Sequence, residues 1–358
     1  MTKDLLDETT VVAYLTNRGI ISGPAEVEEL TGGVSNVVLG VKAGESDLVL
    51  KQALPQLKVA AVWKADQRRA IVEANGMKLL HSITPESVPA LIDFDPEDFT
   101  LTMERLPRAC TVWKSDLLDG VIKPSIGSDL GRILATWHNF GATSKESRDA
   151  YMEDSLFDQL RVTPFYRAVA KVNPPLYARI QELISEITTI KITLVHGDFS
   201  PKNIMISGSD KPIVLDFEVM HTGNPVFDLG FVSAHLLCKY LRTEDTKQRA
   251  LLRETAISFI NSYAQTCNIE VAKSLPHHVA VIALARVEGV SLVNYLDKGG
   301  KARVQSVTKA ALANPQITFE GLFAINCCES ELGNNLNRYI LLYTIPFGEL
   351  SFLYKYFI

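Results

Sequence analysis

Cysteine is scarce in this chain and forms no pattern. Five of the 358 residues are cysteines, at positions 110, 238, 267, 327 and 328. Their spacing suits no metal knuckle and their odd number suits no closed disulfide framework, so they read as reduced, cytoplasmic thiols. One-sided charge is also missing. With 36 basic against 41 acidic residues the formal charge is −5, which argues against nucleic acid as the main partner. Glycine (21) and proline (16) are too few for collagen or low-complexity disorder. The amino terminus, MTKDLLDETTVVAYL, lacks the charged-then-apolar order of a secretory signal. The aromatic stretch 338–358 is interrupted by Pro346, Gly348, Glu349 and Lys355. It fails as a membrane span, which needs ~20 apolar residues, and reads as a docked or partner-binding tail. Internal repeats, long linkers, the P-loop pattern (Gly-x4-Gly-Lys-Ser/Thr) and the dinucleotide pattern (Gly-x-Gly-x2-Gly) are all absent.

What is present is enough apolar sequence, 47% of residues, for a large core in two domains or two lobes. Segments 27–44 and 47–54 read as three strands separated by turn residues. Residues 67–83 have helical spacing at Ile71, Ala74, Met77 and Leu80, and 87–95 and 99–106 alternate like a closing hairpin. After Pro107 the chain is mainly helical, over 126–142, parts of 150–189, 226–241, 249–267, 277–296 and 301–313. One β-rich block, 191–218, interrupts it with two short strands around a turn. The expected fold is α+β and bilobal. A small antiparallel β lobe with one helix (1–106) precedes a larger helical lobe (107–329), and an atypical tail follows (330–358).

The polar chemistry concentrates in that block. VHGDFSPKNIMI places His196, Asp198 and Asn203 in a turn, and VLDFE brings Asp216 thirteen residues later. If the strands pair, Asn203 and Asp216 can offer oxygen ligands to Mg²⁺, leaving Asp198 to accept a hydrogen bond from a substrate hydroxyl. Lys51 lies on a strand and Glu73 on the following helix. An ion pair between them would set the ammonium on nucleotide phosphates. The turn TGGVSN offers backbone N–H groups at Gly32 and Gly33 and the side chains of Ser35 and Asn36 to those phosphates. Met103–Leu106, with Glu104 and Leu106 at the join between lobes, can read an adenine edge. His196 reads as a brace of the loop. His138, Trp113 and Trp137 read as packing residues, whereas Trp63 in its polar connector has no clear partner. Lys58, Lys64, Arg68 and Arg69 read as a solvated basic face.

The run HGDxxxxN, then DFE and later FDLG, resembles the aminoglycoside phosphotransferase and choline kinase-like superfamily, small-molecule kinases built on the protein-kinase fold. The resemblance spans roughly residues 25–325. It implies an ATP- and Mg²⁺-dependent phosphotransferase whose partner is a small hydroxyl-bearing acceptor. Asp198 would be the base, Asn203 and Asp216 the metal ligands, Lys51 and Glu73 the phosphate-positioning pair, and Asp228 the support beneath the loop. Segment 282–296 resembles a late helix of bacterial members and makes Arg286 a candidate on the substrate side, although a helix-surface charge fits it equally. LVLKQALPQLKV resembles methylthioribose kinases, whose catalytic loop is followed less closely. Glu218 stands where protein kinases have the glycine of Asp-Phe-Gly, and Ser200 where they usually carry a catalytic-loop lysine. The APE segment that presents peptides is missing, which disfavours a protein kinase. Acceptors of aminoglycoside, choline or sugar type remain open, with a catalytically silent nucleotide-binding scaffold as the alternative.

Overall fold

A computed structural model describes residues 5–30, 35–56 and 66–325, all within one compact unit that ends at Ile325. Gly32, Gly33, Trp63, Lys58, Lys64, Cys327, Cys328 and the aromatic tail lie outside the described residues. Five strands, β1 (Glu26–Glu29), β2 (Asn36–Ala43), β3 (Ser46–Ala53), β4 (Leu91–Asp95) and β5 (Thr100–Glu104), form an antiparallel sheet in the order β1-β2-β3-β5-β4. The β2–β3 hairpin pairs Ala43 with Ser46 across a two-residue turn. Gly44 takes φ +56° there, the first-position geometry that favours glycine in a tight hairpin. Helix α1 (Val11–Asn17) buries Val11 and Leu15 against Leu39, Val41, Leu48 and Leu50 of β2 and β3. Helix α2 (Arg69–Ile83) turns Ala70, Glu73, Ala74, Met77 and Leu80 inward, and packs on β3, β4 and β5. The strand expected over 87–95 begins only at Leu91, because Pro85–Ser87 form a 3-10 turn.

Helices dominate the remainder. The ones that matter below are α3 (Pro124–Thr143), α4 (Val226–Arg242), α5 (Thr246–Thr266), α6 (Leu275–Glu288) and α7 (Lys298–Ala313). A wide π-type segment, Asp158–Arg167, contains Pro164, whose missing N–H suits a loosened helical ladder. The helix expected over 277–296 stops at Glu288, where Gly289 leaves helical geometry with its N–H bonded to Ala285 O. Helices α3 and α5 pack closely because Gly127 and Gly131 have no side chain. A Cβ on either would stand 2.3 Å from a backbone oxygen, of Thr255 and Phe259 respectively. Alanine usually stabilises an exposed helix interior by up to ~1 kcal/mol over glycine, but here the backbones must separate. Gly131→Ala is therefore expected to destabilise the protein by about 1–3 kcal/mol, read as a lower urea midpoint.

The β-rich block contains three strands rather than two, and they join different ladders. Strand β7 (Thr193–Val195) pairs with β10 (His221–Gly223), beyond the block. Strand β8 (Ile204–Ile206) pairs with β9 (Pro212–Val214) and with β6 (Thr111–Val112), upstream of it. The turn carrying Asp198 thus hangs between two small sheets, and Asp216 follows the end of β9.

Candidate active site

Strand, helix and loop meet at Lys51. Its ammonium pairs with the Glu73 carboxylate of α2 and lies 3.1 Å from Asp216 Oδ1. Burial lowers the Lys51 pKa, but Glu73, Asp216 and Glu218 raise it further, so the ammonium stays charged. Asp216 adopts φ +72°, a left-handed conformation that is strained for a non-glycine residue. The strand-end bond from Leu215 N to Asn203 O, 2.8 Å, helps to hold it. Burial pushes the Asp216 carboxyl up, while Lys51 and Lys202 bring it well below the usual carboxylate range.

The loop after β7 is braced from beneath by Asp228, which is fully buried at the start of α4. Its two oxygens accept from His196 N at 2.7 Å and Gly197 N at 2.9 Å. Burial raises the Asp228 carboxyl, and His138, His196 and the Gly197 N–H together hold it below its ordinary value. His138 Nε2 stands 3.4 Å from Asp228 Oδ2, and its Nδ1 2.8 Å from the Tyr263 hydroxyl. Gly197 needs to be glycine: its φ is +78° and a Cβ would meet Val219 O at 2.7 Å. His196 Nδ1 accepts from Asp198 N at 3.1 Å, and its Nε2 faces Leu215 O at 3.2 Å. The imidazole ties the two halves of the block together.

Asp198 is buried among donors. Asn203 Nδ2 donates to its backbone O at 3.0 Å and to Oδ2 at 2.8 Å. The same Oδ2 meets Arg161 Nη2 at 2.9 Å and Lys202 Nζ at 2.8 Å. Burial raises the Asp198 carboxyl, and Arg161 and Lys202 lower it to a net value below normal. Neither cation was singled out from the sequence. Lys202 lies four residues after Asp198, where a short turn brings i and i+4 together, so the loop has its lysine two positions after Ser200. Arg161 arrives from the π-type segment with no local signal.

Arg69 is corrected by the structure. It belongs to no solvated face, being 1% exposed. It donates to Leu54 O at 2.8 Å and to Asp66 O at 3.1 Å, and its Nε lies 3.2 Å from Glu218 Oε2. Trp113 and Trp137 are buried, and Trp137 Nε1 donates to Thr84 Oγ1 at 2.9 Å. Asn36 Nδ2 donates to Ser35 Oγ at 3.0 Å, so these two side chains engage each other at the start of β2. At the end of β5, Glu104 N bonds Ala90 O and Arg105 N bonds Asp47 O, both at 3.0 Å. Leu106 N has no hydrogen-bond partner among the described residues, the free donor that a purine edge requires. Arg286 is placed on α6, donating to Ser291 Oγ at 2.9 Å, with its guanidinium 5.4 Å from the Phe165 ring centre.

Glu218, unlike Asp216, is raised rather than lowered. Burial, then Asp216 and Glu73, push it up to about 7, against the pull of Arg69 and Lys51. Its folded-state pKa exceeds its ordinary 4.5, so the folded chain holds the extra proton, and stability falls as pH rises between those values. Glu218→Gln should flatten that decline. Comparing urea midpoints at pH 5 and pH 8, the wild type should lose more stability than the variant.

A small antiparallel sheet carrying helices α1 and α2, set on a helical body with a Lys–Glu pair and a His-Gly-Asp loop at the join, is the architecture of a kinase-type phosphotransferase. The sequence profile of the phosphotransferase enzyme family matches residues 26–256. A methylthioribose kinase of Bacillus cereus is 28% identical over 291 residues, covering 73% of this chain and 74% of its own. Among solved structures, an amicoumacin kinase in complex with AMP-PNP, Ca²⁺ and Ami superposes with a TM-score of 0.54 at 15% identity, over 86% of this chain and 94% of its own. A choline/ethanolamine kinase family protein from Mesorhizobium loti gives 0.51 at 17% identity, over 88% and 96%. The chain belongs to the phosphotransferase enzyme family. It is an ATP-dependent small-molecule kinase. Among the described residues no helix is long and apolar enough to cross a membrane.

Proposed function

We propose that the chain transfers the γ-phosphoryl group of ATP to a hydroxyl of a small molecule by direct in-line displacement, with Asp198 orienting the hydroxyl and receiving its proton. The observation that carries this reading is the convergence of Lys51 on Asp216 at 3.1 Å beside an Asp198 already bound by Asn203 at 2.8 Å. A phosphate-positioning cation, a carboxylate and a candidate base thereby share one join. Lys51, held by Glu73, would meet the α- and β-phosphates, the 31–36 turn with Gly32, Gly33, Ser35 and Asn36 would cover them, and the Glu104–Leu106 backbone would read the adenine. Residues 1–106 act in this scheme as the nucleotide lobe and 107–329 as the catalytic and substrate lobe. His196 and Asp228 support the loop, and Arg286 faces the acceptor. The free thiols of Cys110, Cys238 and Cys267 suit a reducing, cytoplasmic setting.

The donor set fits Mg²⁺. Asn203 commits its amide nitrogen to Asp198, leaving the carboxamide oxygen as an acceptor. Carboxylate oxygens of Glu73, Asp216 and Glu218 lie within 4.8 Å of one another. Hard oxygen donors with few protein ligands suit this ion, with Asn203 and Asp216 as its holders. When bound, Mg²⁺ neutralises phosphate charge during transfer. The relatives named as methylthioribose kinases favour a sugar-like acceptor over a choline or an aminoglycoside. Asp216→Ala is expected to weaken Mg-ATP binding at least tenfold by calorimetry, and an unchanged affinity overturns its metal role.

A further inference from the structure

The two sides of the candidate base carry opposite charge. On the nucleotide side, Lys51 and Arg69 face three buried or half-buried carboxylates, Glu73, Asp216 and Glu218. On the other side, Asp198 is the one carboxylate that Arg161 and Lys202 share, and further cations stand behind them. The Arg161 guanidinium lies 5.7 Å from the Phe231 ring centre. Phe231 packs 5.4 Å from Phe165, over which Arg286 lies at 5.4 Å, and 5.5 Å from the His235 ring. One turn further along α4, the Lys239 ammonium stands 5.0 Å from the Tyr295 ring centre, and Lys114 approaches the same ring at 5.9 Å.

None of Lys114, Lys239 and Arg286 makes an ion pair among the described residues. Lys239 is 2% exposed, and its only hydrogen bond among them is a long one, 3.4 Å, to His235 O. Arg286 Nε is buried without a partner. Burial lowers the Lys239 pKa to about 7, and Lys114, Arg286 and Arg242 lower it too while Cys238 opposes them. A buried cation with no counter-ion is destabilising unless something negative arrives. Aromatic rings beneath the cations supply only a fraction of that compensation.

We propose that the acceptor is an anion: a small hydroxylated molecule whose carboxylate or phosphate sits against Arg161, Arg286 and Lys239 while its hydroxyl faces Asp198. The inference rests on the phosphotransfer reading above and narrows its substrate class, away from cationic acceptors such as choline or aminoglycosides and from neutral methylthioribose. In the reaction the acceptor oxygen forms a bond to the γ-phosphorus. The bond from that phosphorus to the β–γ bridging oxygen breaks, ADP leaves, and the hydroxyl proton passes to Asp198.

The test pairs acceptors that differ in charge. Calorimetric binding and coupled ADP release are measured with D-gluconate against D-glucose, ribose 5-phosphate against ribose, and choline, kanamycin and methylthioribose. Expected is binding and turnover with at least one anionic member, the carboxylate and phosphate arms telling the two sources apart. Arg286→Met and Lys239→Met should each weaken that binding at least tenfold. Lys239→Met should also raise the thermal midpoint of the ligand-free protein, since a buried uncompensated ammonium is gone; a merely structural lysine would lower it. AMP-PNP binding to both variants is the folding control. Preference for a cationic or neutral acceptor, absence of any anion binding, or a loss of AMP-PNP affinity as large as the loss of acceptor affinity would overturn the proposal. Failure of the phosphotransfer reading looks different: anion binding persists, but no acceptor releases ADP and Asp216→Ala leaves Mg-ATP affinity intact.

Discussion

Asp198→Asn is expected to lower turnover by about 10²–10⁴, the range over which a positioned base contributes, while Mg-AMP-PNP binding changes little. Asparagine fills the same space and can still accept from Arg161, Lys202 and Asn203 through its oxygen. What it cannot do is receive the proton of an attacking hydroxyl. Arg161 keeps its bonds to Gly197 O and Leu160 O, both 2.7 Å, whichever residue stands at 198. The fold should therefore survive, and single-turnover rates with calorimetric nucleotide affinity separate a chemical defect from a structural one. Burial raises the Asp198 carboxyl, yet Arg161 and Lys202 bring it below its ordinary value, so the base is ionised throughout the neutral range. The limb of the wild-type rate profile that Asp198 sets should then lie at acid pH, with an apparent pKa below the ordinary carboxylate value. Full turnover by the variant would remove Asp198 from the chemistry.

Much of this site was legible because its members are ordered along the chain in a way that secondary structure alone brings together. A lysine on an apolar strand, a glutamate one face into the next helix, and a His-Gly-Asp turn before a short hairpin need only the sheet, its helix and the hairpin to meet. The hairpin does form, between Ile204–Ile206 and Pro212–Val214. The strand before the loop does not join that hairpin: β7 finds its partner in His221–Gly223 after the motif, and strand partners have no local signature. Arg161 was invisible for a related reason: it lies 37 residues before Asp198 on an irregular helix, and only tertiary packing aims it at the carboxylate. Arg69 looked like surface charge beside Arg68. Yet one step around a helix turns a side chain by about 100°, enough to bury one arginine and expose its neighbour. The helical end at Glu288 has little local signal because apolar spacing continues past Gly289 through Val290, Leu292 and Val293, although Val290 and Leu292 are exposed.

Lys51→Met is expected to damage stability as well as nucleotide binding, and the two effects can be separated. The ammonium is the cation that Glu73 and Asp216 both contact, and it stands close enough to lower the Glu218 carboxyl as well. Remove it, and three clustered carboxylates keep Arg69 and more distant charges as their compensation. Breaking a buried pair on one side costs about 3–5 kcal/mol, because the remaining charge has lost its solvation and its partner. Protonation offers an escape: Glu73 is already raised by burial and by Asp216, against the pull of Lys51, so without Lys51 its carboxyl should rise further and take up a proton more readily. The loss should accordingly be largest at pH 8 and smaller at pH 5, the reverse of what surface screening produces. Restoring charge balance in the double variant Lys51→Met/Glu73→Gln should recover most of the urea midpoint at pH 8 without recovering ATP affinity. That split is decisive, since a lysine serving only to hold the fold would let the double variant regain both. A double variant that bound ATP as the wild type does would instead assign the phosphates to another cation, with Lys202 the nearest candidate.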